Sequence, residues 1–87
     1  MEYEGSIVII GDINAGAEVI AGENIIILGE LRGLAHAGAK GNKKAMIAAS
    51  SIEAPQIRIA NVVQEMEKEN QTRKTYAYMK ENVIIIE

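Results

Sequence analysis

The 87-residue chain has no cysteine, no tryptophan and no phenylalanine, and it has one proline and one histidine. Without cysteine there is no disulfide and no thiolate chemistry, which fits a reducing compartment. The lone histidine, His36, cannot supply the several imidazoles of most zinc sites. The aromatics are three tyrosines, Tyr3, Tyr76 and Tyr78, too few to make stacking platforms for single-stranded nucleic acid. A net charge of −3 offers no broad basic field for a phosphate backbone. No apolar run approaches a membrane span, and no charged-then-apolar leader opens the chain. The expectation is a single cytoplasmic domain without metal, cofactor or nucleic-acid partner. Its core must be filled by Ile, Val, Leu, Ala and Met.

What is present is a repeat. Ile7, Ile13, Val19, Ile25, Leu31 and Ala37 recur at every sixth position, and two places after each comes Ile9, Ala15, Ala21, Ile27, Gly33 or Ala39. Within each hexad the apolar period is two, as in a strand, and the stretch is rich in glycine and β-branched residues that disfavour helix. Six-residue steps predict an all-β solenoid with three sides of six residues, eighteen to the turn. Ile7-Val8-Ile9-Ile10-Gly11-Asp12-Ile13 indeed reappears eighteen residues on, as Ile25-Ile26-Ile27-Leu28-Gly29-Glu30-Leu31. A weaker third copy, Met46-Ile47-Ala48-Ala49-Ser50-Ser51-Ile52, lies twenty-one residues further and predicts an outward loop at Lys40-Gly41-Asn42-Lys43-Lys44. About three turns therefore span residues 1–60.

If hexad positions one and three face inward, then Val8, Ile10, Ile26, Leu28, Ile47 and Ala49 face outward on the first side of the turns. The second side presents Asn14, Gly16, Arg32, Leu34, Glu53 and Pro55 instead. Turns stack at roughly 4.8 Å, so the first side predicts one apolar plate. Such a plate marks an interaction site, and a second copy of the same chain is its expected occupant. Beyond Ile52 the six-step slips, with Ile57 and Ile59 one place early and Pro55 beside the slip. Residues 61–75 read as a linker or a short helix around Val62, Val63 and Met66. Residues 76–87 read as a strand-turn-strand tail able to cap an open solenoid end.

Catalytic constellations are hard to assemble. Gly38 to Lys44 lacks phosphate-loop glycine spacing, a following Ser or Thr, and a helix. His36 falls at a predicted corner with no Ser or Cys to activate. Asp12, Glu18, Glu23 and Glu30 have no spacing that argues for acid–base work. Hexapeptide solenoids do occur in acyltransferases, but three turns are too few for one. A structural solenoid that polymerises end to end is the alternative; the turn number, the Pro55 slip and the tail argue against it.

Two segments carry a resemblance. Asn14-Ala15-Gly16-Ala17-Glu18-Val19-Ile20-Ala21 and Leu31-Arg32-Gly33-Leu34-Ala35-His36-Ala37-Gly38-Ala39 resemble the C-terminal domain of the MinC septum-site inhibitors of bacterial division. The resemblance implies a right-handed three-sided β-helix with a C-terminal strand pair. It also implies a non-enzymatic homodimer that binds the ATPase MinD, is recruited by it to the inner face of the membrane, and contacts FtsZ. Matched by position, Gly16 and Glu18 fall on the family's MinD-contact stretch, and Arg32 is the candidate for the acidic FtsZ tail. The family's Arg-Ser-Gly-Gln motif and its N-terminal domain are missing, so the chain reads as one domain of a longer protein.

Overall fold

A computed structural model describes residues 1–66 and 73–87. Among these residues all regular structure is strand. The strands are β1 (Glu2–Tyr3), β2 (Ile7–Ile10), β3 (Glu18–Ala21), β4 (Ile25–Leu31), β5 (Leu34–Ala37), β6 (Met46–Ile52), β7 (Gln56–Ile59), β8 (Val62–Glu65), β9 (Tyr76–Lys80) and β10 (Val83–Ile86). They form two five-stranded sheets, ordered β10-β9-β6-β4-β2 and β1-β3-β5-β7-β8. The parallel centre of each sheet comes from successive turns of a right-handed β-helix. The third side of the triangle is short: Ile13 bridges Leu31, and Leu31 pairs with Ile52.

The core is the inward rows. Ile7, Ile25 and Ile47 stand in register on one side, and Val19, Ala35 and Ile57 on another. Ile25, Ile27, Leu31, Ile47, Ile57, Ile59 and Val19 are fully buried. Burial of each such side chain is worth about 1.5–3 kcal/mol. The core contains no aromatic ring and is built of isoleucine, valine, leucine and alanine.

The turns are not all eighteen residues long. Ile7 lies over Ile25, eighteen residues on, but Val19 lies over Ala35, only sixteen on. Gly33 makes that short cut. It tucks under the first turn's Asn14–Ala17 bend, where an added Cβ would stand 2.6 Å from the Asn14 carbonyl oxygen. The bend closes above it through Ala17 N–H to Asn14 O at 3.0 Å, and Leu34 N–H donates to Ala17 O at 2.9 Å. Ala35 therefore faces inward, and His36 sits within β5 rather than at a corner. Ala15, expected inside, is exposed in the bend.

The third turn departs from the expected register. Ile47, Ala48 and Ala49 lie beside Ile25, Ile26 and Ile27, a step of twenty-two, and a bulge between Ile27 and Glu30 returns the step to twenty-one at Ile52. Ile47 and Ala49, expected on the outer plate, are therefore buried. Met46 and Ala48 take their places. The loop holds one residue more than the copy comparison suggested, and a one-residue slip reverses every side chain along a strand.

Strand β8 replaces the first part of the expected linker or short helix: Val62–Glu65 fold back antiparallel on β7 through Ala60-Asn61. Two β-branched valines suit an edge strand better than a helix. Of the remainder of that linker, residues 67–72 lie outside the described residues. The tail is a hairpin, β9–β10, turning at Glu81 and Asn82, whose φ angles of 53° and 66° are those of a type I′ turn. Strand β9 pairs antiparallel with β6 of its own chain. One sheet ends at β8 and the other at β10, a strand further on, so this end offers no flush platform for another solenoid.

Candidate interaction faces

Each sheet has one face in the core and one outside. On the outer face of the first sheet Val8, Ile26, Ala48 and Tyr76 form one row across four strands. Met46, Tyr78 and Ile85 form a second, and Ile10 and Leu28 a third. Val83 stands at the outer edge. Ile10 is 85% exposed, Val8 59%, Leu28 56% and Val83 54%, whereas Ile26, Met46, Ala48, Tyr76, Tyr78 and Ile85 are half-buried by neighbours in the same sheet. The plate thus crosses all five strands, roughly 20 Å at the usual strand spacing. Reasoning from the repeat found its β2 and β4 members. It missed Tyr76, Tyr78, Val83 and Ile85, because nothing in the tail's sequence says which sheet it joins.

The two tyrosines stack, with ring centroids 5.0 Å apart. The Tyr78 hydroxyl donates to Glu87 Oε1 at 3.1 Å. That bond, some desolvation and the nearby carboxylate charge push the Tyr78 pKa above the ordinary tyrosine value, because ionisation forfeits the bond and sets two negative charges side by side.

The second sheet's outer face is mixed. One row runs Glu2, Ile20, His36, Arg58, Val63, and beside it lie Glu18 with Leu34 and Gln56 with Glu65. Glu18 is exposed at the start of β3. Gly16 is exposed too, but it is not a strand residue facing outward. It is the third residue of the Asn14–Ala17 bend with φ +90°, a type II turn position that glycine occupies without a Cβ penalty. Gly16 and Glu18 are thus brought to one corner. His36 is half-buried, and its Nε2 lies 2.8 Å from the Ala60 carbonyl oxygen. A carbonyl only accepts, so the ring donates there and tethers the β7–β8 turn at Ala60, which has a positive φ of 54°. That contact spans twenty-four positions, and no motif or period marks it along the chain.

Arg32 sits at a corner shared by all three turns. Its guanidinium lies 3.8 Å from Asp12 Oδ2, 4.0 Å from Glu53 Oε1 and in contact with Glu30, and it also reaches Asn14 Oδ1 at 3.4 Å. Its side chain stays 40% exposed, so a partner's carboxylate would compete with the three already gathered there. Arg32 acts as a staple between turns, with each half-exposed pair contributing little alone. Among the described residues no group of His, Asp and Glu side chains could hold a metal ion, and no helix is long and apolar enough to cross a membrane.

The fold as a whole recurs in known proteins. The family model described as "Septum formation inhibitor MinC, C-terminal domain" matches residues 1–87. The chain belongs to the MinC family. A probable septum site-determining protein MinC from Acetivibrio thermocellus is 40% identical and one from Persephonella marina 45%, each over the whole of this chain. The chain spans 40% and 45% of those two relatives, less than half their length. Among solved structures it is similar to a chain of the MinC:MinD cell division protein complex of Aquifex aeolicus. The TM-score is 0.88 at 35% identity, covering 99% of this chain and 75% of that one.

Proposed function

We propose that this MinC-family domain is a non-enzymatic recruitment module of septum placement. Two copies pair through the apolar plate, and each presents its Gly16–Glu18 corner to a MinD-type ATPase. The ATPase then carries the pair from the cytoplasm to the inner face of the membrane, where the domain adds to FtsZ contact and inhibition of septum formation. The observation that carries the reading is the plate. Val8, Ile10, Ile26, Leu28, Met46, Ala48 and the tail's Tyr76, Tyr78 and Ile85 make one apolar surface on the order of a few hundred Å², the size at which patches mark interfaces. A two-fold contact makes such a surface its own complement. The MinC-containing complex of Aquifex aeolicus supports the ATPase as partner. A paired module is bivalent, so it bridges two membrane-bound partners and gains avidity.

The test is sedimentation of the chain with anionic lipid vesicles, with and without MinD and ATP. Pelleting is expected only when both are present. Glu18→Lys should weaken that pelleting while leaving the dimer intact, and unaltered pelleting would remove the corner from the interface.

A further inference from the structure

Four of the chain's nine lysine and arginine residues stand on one outward loop and the turn beside it. Lys40, Lys43 and Lys44 lie between β5 and β6, Lys80 opens the β9–β10 turn, and all four are exposed. The loop is ordered by its own bonds: Gly41 N–H donates to Gly38 O at 2.8 Å, and Lys44 N–H to Asn42 Oδ1 at 2.9 Å. Ala45, fully buried, roots it in the core. A Cβ added at Gly41 would meet nothing within 4 Å, so the tip projects into solvent. Lys43 Nζ donates to Asn82 Oδ1 at 3.1 Å, which ties the loop to the turn that follows Lys80. Strands β6 and β9 pair Met46 with Tyr78, and Lys44 and Lys80 each stand two residues beyond that pair, at the same end. On loop and turn together the only acidic residue is Glu81. Among the described residues the one ion pair of the four lysines joins Lys40 to Glu4, 3.9 Å apart and exposed on both sides. The chain as a whole carries −3, so this corner reverses the molecule's sign.

We infer that this lysine corner contacts an anionic lipid surface directly, once the domain has been brought there. The inference rests on the recruitment reading above and adds to it a contact between the β-helix itself and the membrane. Lysine is a compact, hydrated point charge on a flexible stem, without the planar fork by which arginine fixes a carboxylate or phosphate. A projecting tip with neither arginine nor aromatic ring has nothing to select one shape of ligand. A fluid layer of anionic headgroups supplies charge without demanding shape. Single-stranded nucleic acid, by contrast, draws on aromatic stacking, which loop and turn lack. Each lysine close to an anionic leaflet adds roughly fivefold to partitioning. The attraction fades within a Debye length. At moderate salt, therefore, the corner orients a domain that the ATPase already holds, and does not capture one from solution.

The experiment titrates fluorescently labelled chain, without the ATPase, with vesicles of equal parts phosphatidylglycerol and phosphatidylcholine, and with vesicles of phosphatidylcholine alone. Binding to the anionic vesicles is expected at low salt, falling steeply as salt is raised, and none to phosphatidylcholine. Lys43→Gln with Lys44→Gln should weaken it roughly twentyfold. Arg58→Gln with Arg73→Gln makes the same change in net charge at two exposed cations away from the corner, and should alter binding by less than about threefold. Circular dichroism and thermal melts establish that both double variants are folded. Absence of binding to anionic vesicles at low salt would overturn the inference. So would equal weakening by the two double variants, because net charge and not this corner would then be responsible. Equal binding to phosphatidylcholine would transfer the contact to the apolar plate. An oligothymidylate that binds as tightly, with the same loss in the lysine variant, would overturn lipid as the occupant. No ATPase enters this titration, so its failure leaves the recruitment reading standing, and a failed Glu18→Lys pelleting test leaves the lipid contact standing.

Discussion

The two sheets share an interior and differ outside. Inward rows of both are aliphatic, with Ile25, Ile27 and Ile47 in one and Val19, Ile57 and Ile59 in the other fully buried. Outward, the first sheet shows Val8, Ile10, Ile26, Leu28 and Met46, whereas the second shows Glu18, His36, Gln56 and Arg58 between Ile20 and Leu34. A β-helix constrains only every second residue, so folding leaves the alternate residues free to serve binding. The first face has the composition of a lasting, apolar contact. The second resembles the mixed surface of a partner that comes and goes.

Parity gives the largest test of this contrast. Ile27→Lys places an unpaired ammonium in the core and should abolish folding, a cost of several kcal/mol. Its neighbour Ile26→Lys should melt within about 1 kcal/mol of the parent monomer. Thermal melts of the two variants decide it, and similar behaviour would break the two-face description. Next in size is an exchange of faces. Ile26→Lys with Leu28→Lys should yield a folded monomer by analytical ultracentrifugation. Ile20→Lys with Leu34→Lys should leave the association state alone. A dimer that survives the first pair would refute the plate.

Within the second face, His36→Ala leaves the Ala60 carbonyl without its donor, and should cost about 1 kcal/mol. His36→Gln, able to donate, should recover part of it in denaturant melts. The smallest effect belongs to the first face. In an ultraviolet titration Tyr78 should ionise above the ordinary tyrosine value, and Glu87→Gln should bring it down. The sign follows from the raised pKa: the Tyr78–Glu87 bond stabilises the fold fully below the ordinary tyrosine value and is lost as pH rises through the shifted one. A Tyr78 that titrates at the ordinary tyrosine value, unmoved by Glu87→Gln, would remove the bond from the tail's attachment.

Much of this architecture was legible because strand parity is local. Ile7–Ile10, Val19–Ala21 and Ile25–Leu28 could be assigned to inside or outside from alternation alone, and the eighteen-residue copy placed Val8 beside Ile26 and Ile10 beside Leu28. Alternation failed at Met46–Ala49, where a one-residue difference in loop length reversed the sides and the residues exchanged, Met46 for Ile47 and Ala48 for Ala49, are equal or similar in size. It also failed at Asn14–Ala17, where Ala15 kept the hexad spacing but lies in a turn. Arg32 was legible as an outward residue, but its carboxylate partners were not, because they come from three different turns.

The chain by itself determined the solenoid, its apolar interior and the greasy outer rows of the first two turns, because these follow from side-chain period and near-identical repeats. Only the tertiary structure decided that the tail hairpin lengthens the plate, that β8 closes the second sheet, and that three carboxylates gather on Arg32. Those outcomes depend on which distant strand edges satisfy each other's hydrogen bonds and on which charges then meet. Pairings between residues tens of positions apart leave no period in the sequence to read.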